Sequence, residues 1–269
     1  MLELLTIPFF QRALLVGLLL GILMAILGVL VVLRRLSFFA DALSHSALTG
    51  LALGLLLNLN PFIAAIVFAV LVAAGIATAR RFSKLPVDTL LGVSFPAAVA
   101  LGVILIQQTQ GYQADLISFL FGDILTVSRF DVIMSSVLAV AVIALVALAG
   151  KALITIAVDE SLAHAEGIPV FWYELLLLTL LAAVVAVSIK LVGIVLVTAM
   201  LVIPAASAQN TAWSLSSMFV ISIMLSVVAT VLGMVASAFL NVPSGPTIVL
   251  TAACLFLFSF ALKPLTARS

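Results

Sequence analysis

Charge is what this sequence has least of. Only 8% of its 269 residues are Asp, Glu, Lys or Arg, against roughly 25% in an average soluble domain, so an ordinary water-soluble globule is excluded. Cysteine occurs once, at Cys254. That rules out an intrachain disulfide or a thiolate metal cluster, and the residue is expected to serve as a small buried hydrophobe. There are 2 Trp and 2 Tyr beside 17 Phe; together with long Leu, Val, Ile and Ala runs, this argues for helices over a lipid-facing barrel, whose strands would alternate polar and apolar residues. No basic tract of the kind that binds nucleic acid is present, and the formal net charge of +1 points to no partner. The first eleven residues carry Glu3 and no basic start, so a cleaved signal peptide is not expected. The sequence also has no His-Glu-x-x-His zinc-protease helix, no G-x-S-x-G nucleophile elbow and no G-x-x-x-x-G-K-[ST] phosphate loop. If ATP drives this chain, another chain must hydrolyse it.

What is there in abundance is oil. Hydrophobic residues make up 66% of the chain, with a mean hydropathy of +1.48. Apolar runs of about 20 residues, each long enough to cross a hydrocarbon core about 30 Å thick, repeat from Leu14 nearly to the C-terminus. No soluble domain fits between them. The expectation is an all-α, polytopic transmembrane bundle forming one domain over residues 1–269. Nine spans are expected, or eight if the segment Val192 to Ala208, which carries Pro204, is broken rather than crossing. The first span, ending at Arg34-Arg35, carries Gly17 and Gly21 in the small-xxx-small spacing suited to close helix packing. Asn58-Leu59-Asn60-Pro61 reads as a tight turn. The fifth span ends at Lys151. Leu116 to Asp123 is too short to span and is expected in or near the interface.

With nine spans, eight of the eleven basic residues fall on one side: Arg34, Arg35, Arg80, Arg81, Lys84, Lys151, Lys263 and Arg268. The positive-inside bias makes that side cytoplasmic and leaves the N-terminus outside.

Against this background one polar cluster stands out, Asp41-Ala42-Leu43-Ser44-His45-Ser46-Ala47-Leu48-Thr49-Gly50. Asp41 and His45 are spaced i, i+4, so on a helix both side chains leave one face, about one turn apart. A local reading is open: Asp41 in the first turn meets the positive end of the helix dipole, and His45 is its i+4 partner. Ionisable groups held at membrane depth are costly and usually mark pathways, and this favours a functional reading. A carboxylate with a neutral imidazole suits zinc, manganese or iron(II), but two ligands are too few for a closed site. A symmetric dimer would bring four together. Ser44 and Asp123 are further pathway candidates, with Asp123 equally readable as a turn cap. Asp115 and Asp131 are most simply interfacial acids. The segment Val158 to Pro169 has soluble character: a short helix closed by Gly167 and followed by Pro169. Its His164, beside Asp159, Glu160 and Glu166, reads as a solvated loop histidine rather than a second metal site.

Four separated blocks now carry a resemblance. They are Val31 to Phe38 running into Asp41 to Ser46, Ser118 to Leu125, Leu201 to Ala206, and Pro243 to Pro246. Over nearly its full length the chain resembles the permease subunits of ATP-binding-cassette importers for zinc, manganese and iron, smaller relatives of the cobalamin and iron-siderophore permeases. The resemblance implies a two-fold homodimer in the bacterial inner membrane, in contact with lipid, served by two cytoplasmic ATPase subunits and an extracytoplasmic metal-binding protein. No permanently bound cofactor is implied, only a transported divalent ion. Asp41 and His45 fall on the family's metal-meeting acid and histidine. Ala163 and Gly167 match an alanine and glycine four apart in the ATPase-docking loop, to which Asp159 and Glu160 also belong. Thr49 departs from the pattern, since proline is common there, and implies a straighter helix at that point. The rival reading is a carrier driven by an ion gradient, in which Asp41 and His45 relay protons. It would favour inverted repeats, which are not evident.

Overall fold

The computed structural model describes residues 8–83, 85, 87–108 and 127–266, and every regular element among them is a helix. In chain order these are α1 (Pro8–Leu33), α2 (Phe39–Leu56), α3 (Pro61–Phe82), α4 (Val87–Gln108) and α5 (Arg129–Val158). The short α6 (Glu160–Ala165) follows, then α7 (Val170–Val192), α8 (Ile194–Thr211), α9 (Leu215–Leu240) and α10 (Ser244–Thr266). Among the described residues eight helices are long and apolar enough to cross a membrane: α1, α2, α3, α5, α7, α8, α9 and the Ser244–Ala261 part of α10. Helix α4, at 22 residues, carries an apolar stretch over Thr89–Leu105. By length and composition these eight agree with the expected eight or nine spans, and α4 is the candidate for a ninth. The break considered at Pro204 does not occur, because α8 continues through it.

The boundaries have local causes. Pro61 occupies the first turn of α3, where its missing N–H costs nothing. Asn60 Oδ1 accepts from the backbone N–H groups of Phe62 (3.0 Å) and Ile63 (3.3 Å), and Asn58 turns the chain with a φ of 55°. Gly193, at a φ of 80°, separates α7 from α8 in a conformation that favours glycine. At the start of α9, Ser214 and Ser217 form a reciprocal capping box. Asp131, read from sequence as an interfacial acid, has a local role at the start of α5: its Oδ2 accepts from the Ser128 backbone (3.1 Å) and hydroxyl (2.7 Å). Two expectations need correction. Helix α5 does not stop at Lys151 but runs to Val158, because Ala152 to Ala157 stay mostly apolar and Leu153 and Ile156 are buried. Cys254 is exposed on α10 rather than buried, since an apolar run in a membrane bundle can face outward.

The contacts divide the chain into two compact units, with boundaries after Val32, Ile117, Ile143 and Lys190. One unit holds α1, the first half of α5 and α8 to α10. There α8, α9 and α10 pack on one another. A Cβ added to Gly21 would come within 2.9 Å of Ser226 Oγ, and one on Gly28 would strike the Leu201 carbonyl. Small residues thus let α1 lie close against its neighbours, as the Gly17 and Gly21 spacing suggests. Ser222 Oγ donates to the Ala25 carbonyl at 3.1 Å in the same seam.

The other unit holds α2, α3, α4, the second half of α5, α6 and most of α7. Here α2 lies between α3 and α4 and packs extensively on both. Gly50 and Gly54 make the first approach possible. A Cβ on Gly50 would sit 2.6 Å from Phe68 Cβ and 2.9 Å from Ala65 Cα, and one on Gly54 2.8 Å from Pro61 Cα. On the other side Thr49 Oγ1 donates to the Ala98 carbonyl of α4 at 2.6 Å. These contacts fix the rotation of α2, and with it the direction in which Asp41 and His45 emerge.

Candidate functional site

Asp41 lies in the first turn of α2, and its neighbour one turn on is His45; both are half-buried. Asp41 opens into a cavity of about 480 Å³ that it lines together with Phe38, Leu91, Gly92 and Phe95. The cavity wall is therefore built by Phe38 and the first turn of α2 and by the first three turns of α4. His45 meets the same wall: the Phe95 ring stands edge-on to the imidazole, with centroids 4.8 Å apart and planes at 84°. This holds the imidazole by an aromatic contact and leaves its nitrogens as the donors a ligand would find. Gly92 is exposed, and a Cβ there would meet nothing within 4 Å, so the wall opposite Asp41 is open. Ser44 is fully buried, and its hydroxyl has no hydrogen-bond partner among the described residues.

The donor set is one carboxylate and one imidazole. Among the described residues no group of three or more His, Cys, Asp or Glu side chains could hold a metal ion. One carboxylate and one imidazole are fewer donors than a closed metal site uses. Asp123 lies outside the described residues.

The second candidate region is built around α6. Asp159 caps it, with Oδ1 accepting from the N–H groups of Ser161 (2.8 Å) and Leu162 (3.1 Å). Its far end closes with a Schellman motif: the Ile168 N–H donates to the Ala163 carbonyl at 3.0 Å and the Gly167 N–H to His164 at 3.1 Å. Gly167 takes a φ of 73°, as this closure requires. Ala163 is fully buried in a small cluster with Ile156 and Val170, against which Ile168 and Tyr173 pack. The alanine and glycine four apart thus have a shared local job, one filling the cluster and the other turning the chain. Val158, Leu162 and Trp172 are exposed around them. His164 is exposed too, in keeping with its reading as a solvated histidine.

A third feature was not read as a site from the sequence. Arg34, Arg80, Glu160 and Glu174 form one ion cluster. Arg80 Nη1 bonds Glu174 Oε1, and its Nη2 lies 2.6 Å from Glu160 Oε2. Arg34 Nη2 reaches the same two carboxylates at 3.6 Å and 3.8 Å. The side chains of Arg34 and Glu174 are only 6% and 7% exposed, whereas Glu160 is 42% exposed. Burial draws the Arg34 guanidinium below its ordinary pKa; Glu174 opposes this, Arg80 adds to it and Glu160 opposes it. Along the sequence the arginines mark only orientation, and nothing in a linear reading pairs Arg34 with a glutamate 140 positions away.

Comparison with known proteins agrees with the fold and with the family resemblance. The model of the ABC 3 transport family matches residues 6–263. The high-affinity zinc uptake system membrane protein ZnuB of Haemophilus influenzae is 35% identical over 247 residues, 92% of this chain and 95% of that one. The manganese import system permease protein ScaB of Streptococcus gordonii is 37% identical over 256 residues, covering 95% and 92%. Among solved structures, PsaBC from Streptococcus pneumoniae in complex with Fab superposes with a TM-score of 0.84 at 39% identity, over 96% of this chain and 93% of that chain. The fold is that of a polytopic membrane permease, a transport component rather than an enzyme. The chain belongs to the ABC 3 transport family.

Proposed function

We propose that this chain forms the translocation pathway of an ATP-driven importer of divalent metal ions, zinc or manganese first and iron after them, and that Asp41 and His45 are the side chains the ion meets. The observation that carries this reading is the placement of Asp41 on a cavity of about 480 Å³ with His45 beside it. Family membership supports the ATP-driven class, and the relatives named for zinc and manganese support the cargo. A carboxylate and an imidazole bind both ions, and an incomplete set binds weakly enough to release. Two copies of the chain related by a two-fold axis would double the donors to four. In this reading α6 and its flanks, residues 158–169, face the cytoplasm and dock the ATPase subunits. Because Ala163 is buried, the surface on offer there is Val158 and Leu162, with Asp159 and Glu160 anchoring it. An extracytoplasmic binding protein delivers the ion. Ser44 stands in the pathway helix, and Asp123 is assigned to the outer approach.

The reading is tested in liposomes holding the permease, its ATPase and its binding protein, with zinc or manganese uptake measured with and without ATP. Uptake should require both ATP and the ATPase. Accumulation by the permease alone under a proton gradient would replace this reading with that of a gradient-driven carrier.

A further inference from the structure

The ion cluster joins parts of the chain that the proposed function needs to move together. Glu160 belongs to α6, Glu174 to the first turns of α7 and Arg80 to the last turn of α3. Arg34 stands in the turn that leads into α2, seven residues before Asp41. Each arginine reaches both carboxylates, and each carboxylate is shared by both arginines. Such a set has more than one satisfactory pairing. If Glu160 withdraws, Glu174 still neutralises the more buried charge, so the cluster can lose its exposed member without leaving both arginines unpaired. A purely static tie would be made as well by apolar packing, because burying ions has a desolvation penalty. Exchangeable pairing is what two alternative arrangements require.

Two neighbouring features fit a moving part. Glu160 and His164 border a cavity of about 290 Å³, also lined by Arg80, Arg81 and Phe171, which leaves α6 room to shift. The Arg81 guanidinium sits 4.7 Å from the centre of the Phe171 ring, a second tie between α3 and α7 that does not involve α6. At the other end, Arg35 holds a φ of 56° in the turn after α1, so the link into α2 is a bent, conformationally defined piece rather than a slack one.

We propose that Arg34, Arg80 and Glu174 are positioning residues of transport: with Glu160 they form a latch that passes displacement of α6 to the turn before α2, and so to Asp41 and His45. The latch rests on the ATP-driven reading above. Glu174 and the arginines stay with the membrane helices and Glu160 travels with α6, so displacement of α6 redistributes the pairing between the two carboxylates and with it the position of Arg34 in the turn before α2.

The experiment uses the complete transporter in liposomes and reads the ratio of ions taken up to ATP hydrolysed, for the native chain, Arg34→Gln and Arg34→Lys. Arg34 lies outside the metal pair and outside α6. The Gln variant is expected to bind the ATPase and hydrolyse ATP, while its ratio falls about tenfold, within the usual range of coupling between sites. The Lys variant should lose about threefold, since it keeps the charge but loses the guanidinium nitrogen Nη2 by which Arg34 lies 3.6 Å and 3.8 Å from the two carboxylates. A native ratio in either variant overturns the latch, and so does a proportional loss of uptake and hydrolysis, the mark of a merely structural residue. If the Gln variant fails to assemble, the Lys variant decides by the same ratio. A native transporter showing no ATP-dependent uptake sinks the importer reading and the latch together, whereas native coupling with an unaltered Lys ratio sinks the latch alone.

Discussion

Thr49 stands one turn beyond His45, and its hydroxyl bonds both the His45 carbonyl at 3.2 Å and, across the helix interface, the Ala98 carbonyl at 2.6 Å. A residue that the family pattern marks as a missing proline is thus a tie between α2 and α4. Replacing it by valine keeps the shape and removes the donor. The expected loss is about 0.6 kcal/mol, the average for hydrogen bonds between membrane helices, read from denaturant unfolding in detergent micelles. At this scale the sequence showed Asp41 and His45 directly, because an i, i+4 acid and imidazole in an oily segment need no tertiary information to be noticed. It could not show Phe95 or Gly92. Both are ordinary members of an apolar run, and only the packing of α4 on α2 brings them to the cavity.

At the scale of elements, α2 is held to α3 by two glycines and α6 is closed by a third, and the two cases predict different penalties. Gly50→Val would force a side chain into Phe68 and Ala65; overpacking of this kind costs about 1–3 kcal/mol. It should also rotate α2, so metal uptake in the reconstituted transporter should fall more than stability alone explains. Gly167→Ala meets open space, and its penalty is conformational only, about 1 kcal/mol for an L-residue held in the left-handed region. Its effect should appear in co-purification of the ATPase and leave the unfolding of the membrane helices nearly unchanged. The short helix before Pro169 was legible from its glycine and its polar residues. The end of α5 was not, because a charged Lys151 reads as a boundary, while the buried Leu153 and Ile156 beyond it carry the helix about two turns further. Cys254 misled for a related reason: hydropathy reports that a helix is apolar and is silent on which face turns inward.

For the whole molecule, the class followed from composition and the family from four short blocks, and both stand in the structure and its relatives. The ion cluster is the feature that only three dimensions supply. Its members lie at positions 34, 80, 160 and 174, on three helices and the turn before α2, and each alone passes for a charge at a membrane boundary. Removing the buried carboxylate by Glu174→Ala would leave two guanidinium groups with one shared partner. A loss of about 3 kcal/mol is expected from breaking such a buried set, against a near-neutral effect for the exposed Glu166→Ala, both measured by unfolding of the detergent-solubilised chain.

The account turns on Asp41 and His45 being the point where the ion passes. Its most direct test is ATP-dependent zinc and manganese uptake by the complete transporter carrying Asp41→Ala or His45→Ala, with assembly checked by co-purification of the ATPase. Uptake abolished in both variants with assembly intact is the predicted result, and uptake at the native rate in both would contradict it.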